Sequence, residues 1–222
     1  MPMARSTVGM MSTEGISACR SVEVVPAPAK TIGICWARRW MPPWSPATEE
    51  QEIEALDRGL EALAGVRPTG YRAPMWDLSW RTPALLAELG FLFDSSLMDA
   101  DTPYELAVGE GSLVEIPIQW ALDDWEQYCF LPDISGSGLI ETPAKAVELW
   151  RAESRALRAA GGCRVLTNHP FLSGRPSRAA ALSTLMAEVV ACEDVWVASL
   201  GEMATHVRGL DLPPRSVVRP EL

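Results

Sequence analysis

The chain has little histidine and little positive charge. Only two of its 222 residues are histidine, and 19 Lys and Arg stand against 29 Asp and Glu, which gives a net charge of −10. A mechanism that needs several imidazoles is therefore excluded for this chain alone. The acidic balance also argues against a nucleic-acid partner, because phosphate binding needs clustered Lys and Arg.

Signals for membranes, disulfides and phosphate binding are missing as well. No apolar run approaches the roughly 20 residues that span a bilayer, and residues 1–15 do not have the pattern of a secretory signal, so we expect no membrane partner. Five scattered cysteines without a C-x-x-C pair predict reduced thiols in a cytoplasm. The phosphate-cradling signatures and the G-x-S-x-G nucleophile signature are absent too.

Residues 1–48 read differently from the rest of the chain. Residues 1–31 show no helical or strand periodicity, and Trp36, Trp40 and Trp44 crowd a short proline-containing stretch that suits no regular element. We interpret 1–48 as an irregular N-terminal segment that is disordered or read in a shifted frame. An interaction module built on the three tryptophans is a third hypothesis.

From residue 49 onward, helix and strand signals alternate. Helices are predicted over residues 48–65, 82–90, 142–160, 177–190 and 201–208. Strands are predicted over residues 90–94, 113–118, 164–167 and 195–198, with a short strand or connection at 67–72. Such alternation is typical of an α/β domain with a mostly parallel sheet, which we place at 49–210. The proline-rich residues 211–222 are predicted to be a loose tail.

Two stretches carry side chains suited to chemistry at strand ends. In Arg72-Ala-Pro-Met-Trp-Asp77, the guanidinium can orient a carboxylate and the N–H of Met75 can stabilise an oxyanion; the alternative is a surface ion pair with Trp76 in the core. Asp123 and Asp124 can serve as a base, a ligand or an orienting group; the alternative is a solvated acidic loop.

His169 is the strongest single candidate. It follows a predicted strand and precedes Pro170, and an imidazole with an ordinary pKa near 6.5 suits proton donation to a leaving group. The alternative is a structural histidine bonded to backbone. His206, on the last predicted helix, is interpreted as structural or exposed.

Four segments together resemble the polysaccharide deacetylase superfamily, in the branch that holds peptidoglycan deacetylases, cyclic imidases and allantoinase-like enzymes. The segments are 70–79, 85–98, 114–118 and 169–178, and the match runs from about residue 49 to 208. The resemblance implies a distorted (β/α) barrel, incomplete here, that hydrolyses C–N amide bonds with a metal-activated water. It also implies a small amide or amino-sugar substrate and self-association.

Site residues follow from the same resemblance. Arg72 corresponds to the arginine that orients the catalytic base, and His169 to the histidine acid. Asp124 and Trp125 are similar to the aspartate and tryptophan beside the groove. Met75 and Trp76 then belong to the substrate-binding wall, with Met75 standing where many members have an aromatic residue.

The metal half of the family site has no counterpart in this sequence. The resemblance implies an Asp pair and an H-x-x-x-H pair holding a divalent metal such as zinc, but no histidine precedes residue 49 and the first aspartate is Asp57. We therefore expect no metal ligands and no evident cofactor in this chain. One back-translation of residues 36–44, shifted by one base, restores a histidine-containing segment. The alternative function is a catalytically inactive remnant or a ligand-binding pseudoenzyme.

Overall fold

The computed structural model describes residues 6–12, 51, 58, 61, 62, 65–130 and 140–216, and for 6–12 the backbone alone. The three N-terminal tryptophans and the apolar stripe of the first predicted helix lie outside these ranges. The described strands are β1 (Ser6–Ser12), β2 (Gly70–Tyr71), β3 (Phe93–Asp94), β4 (Tyr104–Val108), β5 (Gly111–Glu115), β6 (Cys163–Asn168) and β7 (Val195–Ala198). The helices are α1 (Thr82–Glu88), α2 (Asp124–Tyr128), α3 (Pro143–Ala160), α4 (Pro170–Ser173), α5 (Pro176–Val190) and α6 (Leu200–Arg208).

One sheet has four strands in the order β2-β3-β5-β4. The β2–β3 and β3–β5 pairs are parallel, whereas β4 and β5 form an antiparallel hairpin. Gly70 is required where β2 meets β3, because a Cβ there would lie 1.9 Å from the ring of Phe93. The parallel strands send the loops that follow them to one end of the sheet.

The second sheet has the order β6-β1-β7, and β1 is antiparallel to both neighbours. Two expectations are corrected here, since residues 1–31 were predicted to lack a strand and the sheet was predicted to be mostly parallel. A central strand gains its ladder bonds from both sides, so a period-2 pattern is not needed to hold it. The two sheets do not close into a barrel within the described ranges, as expected for an incomplete barrel.

Local capping signals explain several helix ends. The Oγ1 of Thr142 accepts from the N–H of Lys145 to begin α3, and Gly161, at φ 71°, ends it as predicted. Helix α6 begins in a capping box between Ser199 and Glu202. None of the helices in the described ranges is long and apolar enough to cross a membrane.

Two predicted caps are wrong. Thr82 lies inside α1, and its Oγ1 accepts from the N–H of Ser79, which turns the chain before the helix begins. Ser177 lies inside α5, whose N-cap is Arg175 with Pro176 as the first helical residue. In both cases a proline occupies the first or second helical position, and the N-cap residue, Arg81 or Arg175, makes no side-chain cap bond.

The C-terminal tail is partly structured. Arg215 pairs with the edge of β4, donating its N–H to the carbonyl of Glu105 at 2.7 Å and accepting from the N–H of Ala107 at 2.8 Å. The prediction of a loose tail is therefore wrong at this point, since backbone pairing covers an otherwise open strand edge.

The apolar core lies on both sides of the second sheet. One cluster packs β3, β5 and β7 against α6, with Phe93, Ile116 and Met203 fully buried. The other packs β6 against α3 and α5 around Trp150 and Leu166. These clusters fix the strand ends from which the candidate site is built.

Candidate functional site

Arg72 is buried where the chain leaves β2. Its Nε donates to the carbonyl of Ser95 at 2.7 Å, its Nη2 to the hydroxyl of Ser95 at 2.5 Å, and its Nη1 to Oγ1 of Thr167 at 3.2 Å. Only 5% of the residue is exposed. The guanidinium therefore joins the end of β2 to the segment after β3 and to the end of β6.

The turn after Arg72 is held in an unusual backbone conformation. Met75 and Trp76 have φ values of 57° and 59°, in the left-handed region that costs non-glycine residues about 1–3 kcal/mol each. The N–H of Ala73 donates to the hydroxyl of Ser96 at 2.9 Å, which anchors the start of the turn. Met75 is half exposed, while Trp76 is buried against Trp120 with ring centroids 4.1 Å apart.

Asp123 and Asp124 lie where the segment after β5 enters α2. Asp123 is the N-cap of α2, its Oδ1 accepting from the N–H of Trp125 at 2.7 Å. Its backbone forms a parallel bridge with Thr167 on β6. Both aspartates are buried, so the alternative of a solvated acidic loop is wrong.

His169 and Asp124 form a buried dyad. Nδ1 of His169 lies 2.6 Å from Oδ1 of Asp124, and the backbone N–H of His169 donates to both oxygens of that carboxylate at 3.0 and 2.9 Å. The hydroxyl of Ser173 donates to Oδ2 at 2.5 Å. With Nδ1 donating to the carboxylate, the neutral ring carries its lone pair on Nε2.

Nε2 is the open atom of this dyad. It is buried and has no hydrogen-bond partner among the described residues, in a residue only 3% exposed. The rings of Trp125 and Phe171 lie 5.3 and 5.8 Å from the imidazole and shield it from water. A buried polar nitrogen without a partner is costly unless a ligand or water satisfies it.

Within the described residues, one group of possible metal ligands stands out: Asp123, Asp124 and His169, whose candidate donor atoms lie within 4.8 Å of one another. They do not fit a bound cation. Neighbouring ligands around tetrahedral zinc lie about 3.3 Å apart, farther than the 2.6 Å from Nδ1 to Oδ1 of Asp124. The oxygens of Asp124 already accept from three donors, so the group is a hydrogen-bonded dyad with a capping aspartate.

A second pair of carboxyls, not predicted from the sequence, lies beneath the Arg72 turn. Asp94 and Glu115 are both 0% exposed, and both accept from the N–H of Ser96, at 3.0 and 3.2 Å. Burial raises the pKa of Asp94 to about 6, and burial together with the nearby Asp94 charge raises the pKa of Glu115 well above its usual range.

The residues predicted from the sequence meet at one end of the strands. Arg72 bonds to Thr167, only two residues before His169, and the dyad joins His169 to Asp124. Met75 and Trp76 lie in the turn after Arg72, and Trp125 lies in α2 beside His169. Sequence reasoning missed five further residues here, and their only signal was their place in or beside the four segments that carry the family resemblance: Asp94, Ser96, Glu115, Trp120 and Phe171.

Comparisons with known proteins found relatives by sequence and by structure. The chain is 32% identical to a peptidoglycan deacetylase of Helicobacter pylori, over 58% of this chain and 54% of the relative. It is 29% identical to a peptidoglycan deacetylase-like protein of Gibberella zeae, over 46% of this chain and 38% of the relative. The chain thus spans about half or less of the length of these curated relatives. No protein-family model matches it.

Solved structures share the fold. A crystal structure assigned as a polysaccharide deacetylase from Mycobacterium smegmatis is 65% identical, with a TM-score of 0.75, over 79% of this chain and 63% of that one. A polysaccharide deacetylase from Pseudomonas aeruginosa has a TM-score of 0.60, over 73% of this chain and 54% of that one. PuuE allantoinase has a TM-score of 0.62, over 76% of this chain and 55% of that one. The latter two, at 24% identity, support the fold alone.

Proposed function

The chain belongs to the polysaccharide deacetylase superfamily, and from this we propose that it acts as a hydrolase of non-peptide C–N amide bonds. The observation that carries the proposal is the His169–Asp124 dyad, in which Nδ1 is bonded to the carboxylate and the buried Nε2 has no hydrogen-bond partner among the described residues. The substrate class is an N-acetylated amino sugar or another small amide.

In this proposal His169 is the acid for the leaving group. Water adds to the amide carbon, and the imidazolium then donates its Nε2 proton to the amide nitrogen as the C–N bond breaks. The ring is left neutral and protonated at Nδ1, and it regains a proton when the carboxylic acid product ionises. Asp124 holds the ring in that tautomer and stabilises its positive charge, because the carboxylate accepts from Nδ1 at 2.6 Å. The enclosing rings of Trp125 and Phe171 keep water from competing for the proton.

Arg72 and the turn that follows it bind the reacting group. The side chain is immobilised by Ser95 and Thr167, so its charge is presented in a fixed position. The backbone N–H of Met75 is the proposed donor to an oxyanion, and the rings of Trp76 and Trp125 are proposed walls of the substrate groove.

No step is assigned to a metal, because the oxygens of Asp124 and Nδ1 of His169 already hydrogen-bond to each other. Ligand binding without turnover is therefore the second candidate function: the whole sequence has only two histidines, so an H-x-x-x-H pair is absent from it.

Acetate release from N-acetylglucosamine oligomers and from acetylated peptidoglycan tests the proposal. We expect turnover by the wild-type chain, a loss of about 100-fold or more in His169→Gln, and little change in His206→Gln, the matched histidine control. Binding of the oligomers without acetate release would identify the second candidate. Neither binding nor release would contradict both.

The proposal also includes a cytoplasmic location and a homo-oligomeric state. Cys129, Cys163 and Cys192 are free thiols, which supports a reducing cytoplasm. A homo-oligomer is proposed from the family resemblance alone. Counting the free thiols in protein alkylated at lysis tests whether the cysteines are reduced in the cell. Sedimentation velocity measures the oligomeric state.

A further inference from the structure

The two buried carboxyls beneath the Arg72 turn are brought together by strand register. Asp94 and Glu115 are direct partners in the parallel β3–β5 pair, so their side chains point to the same face. Each is fully buried. Both side chains also accept from the same N–H of Ser96, and two carboxylates buried side by side in this way would carry a severe electrostatic penalty if both were charged.

The hydrogen bonds assign a different role to each carboxyl. Asp94 accepts from the N–H of Ser96 at 3.0 Å and from its hydroxyl at 2.9 Å. Oε1 of Glu115 accepts from the N–H groups of Ser96 and Leu97 at 3.2 and 2.9 Å, whereas its Oε2 receives no donor. Asp94 is thus built to be the charged partner, and Oε2 of Glu115 is the atom left to carry a proton toward it.

Ser96 connects the carboxyl pair to the Arg72–Trp76 turn by hydrogen bonds. Its hydroxyl donates to Asp94 and accepts the N–H of Ala73, and Ala73 begins the segment that carries the left-handed Met75 and Trp76. A strained backbone persists only where the surroundings over-determine it. Without the Asp94 acceptor, the Ser96 hydroxyl would lose its fixed orientation.

We propose that Asp94 and Glu115 share one proton and act, through Ser96, as positioning residues for the Arg72–Trp76 turn; the role in catalysis rests on the proposed function. The other ionisable groups facing the pair are Arg72, which offsets the Asp94 charge, and Tyr104, opposite Glu115 on β4. Burial and the bond to Asp99 raise the pKa of Tyr104, so the phenol stays neutral while Glu115 titrates.

The structure offers a conservative test variant. Glu115→Gln keeps an acceptor at Oε1 and supplies a permanent N–H donor at the position of Oε2, so it mimics the protonated acid at every pH. Ser96→Ala removes the acceptor for the Ala73 N–H and the donor to Asp94. Ser112→Ala removes a serine hydroxyl that bonds only Arg208 and serves as the matched control.

Hydrogen exchange of the Ala73 amide is the readout, corrected for its intrinsic rate and measured on the full chain from pH 6 to 10. We expect wild-type protection to fall as Glu115 loses its proton, Glu115→Gln to keep its protection throughout, and Ser96→Ala to lose about tenfold at every pH. Ser112→Ala should match the wild type.

Two results would overturn the inference: loss of protection in Glu115→Gln equal to that in Ser96→Ala, or wild-type protection with the same pH profile as Glu115→Gln. Neither depends on turnover. The expected exchange pattern without acetate release would leave the proton-sharing pair intact and contradict the hydrolase proposal instead.

Discussion

The two buried carboxyl clusters, His169–Asp124 and Asp94–Glu115, differ in which polar atom is left without a hydrogen-bond partner. In the dyad, the oxygens of Asp124 are filled by His169 and Ser173, and the open atom is the imidazole Nε2. In the other cluster, Asp94 and Glu115 both accept from surrounding N–H groups, and the atom without a partner is Oε2 of Glu115. We therefore propose proton transfer for the first cluster and backbone positioning for the second.

The largest expected effect lies in the dyad. Asp124→Ala would leave the Nδ1 and backbone N–H of His169 and the hydroxyl of Ser173 without their acceptor in a buried site. We expect the free energy of unfolding to fall by about 3–5 kcal/mol. Asp123→Ala, the adjacent comparison, removes the N-cap of α2 and a carboxylate oxygen 3.5 Å from Nδ1 of His169, and should cost less, about 1–2 kcal/mol. Urea unfolding of both variants measures the difference; equal losses would contradict the account.

The second prediction concerns the pH dependence of stability that comes from the Asp94–Glu115 pair. The pKa of Asp94 is raised to about 6 in the folded chain, from an ordinary value of 3.8, and that of Glu115 is raised as well. The folded state therefore holds more protons than the unfolded state above about pH 4. Stability should fall by on the order of 2–3 kcal/mol as the pH rises from 4 to 6.

Denaturant unfolding across this range checks the direction. The decline above pH 6 should be shallower in Glu115→Gln, because that variant has no proton to lose at this position. A wild-type stability that rises steadily from pH 4 to 7 would refute the assigned protonation states.

The smallest expected effect is the difference in unfolding free energy between alanine variants of two serines, one in each cluster. Ser173→Ala removes one hydroxyl donor, which Asp124 shares with Oδ1 of Asn168, and should cost about 1 kcal/mol. Ser96→Ala removes a donor to Asp94 and an acceptor for Ala73, so about 2 kcal/mol is expected. Chemical denaturation gives the ranking, and the reverse order would show that the turn does not depend on Ser96.

Much of the local structure was predictable because its causes are local. The Thr142 cap and Gly161 stop bound α3 as the sequence indicates, and Gly90, at φ 75°, closes the turn after α1. Arg72 and His169 could be predicted as candidates because each follows a strand and has a proline one or two residues later; their catalytic roles stay predictions.

Other features depend on contacts that are distant in the sequence. The antiparallel placement of β1 needs β6 and β7, which lie more than 150 residues later. Asp94 and Glu115 become partners only through the β3–β5 register. The β4–β5 hairpin did carry a usable local signal, since Gly109 and Gly111 flank a tight turn between apolar stretches, although it was not predicted.

The most direct test is the tautomer of His169. Long-range ¹H–¹⁵N NMR on histidine-labelled His206→Gln protein observes one imidazole, because the chain has only two histidines. In the neutral ring, a proton on Nδ1 and a bare Nε2 are predicted, with Asp124→Asn shifting the proton toward Nε2. A neutral ring already protonated at Nε2 in the otherwise native chain would contradict the dyad and the proton-transfer role built on it.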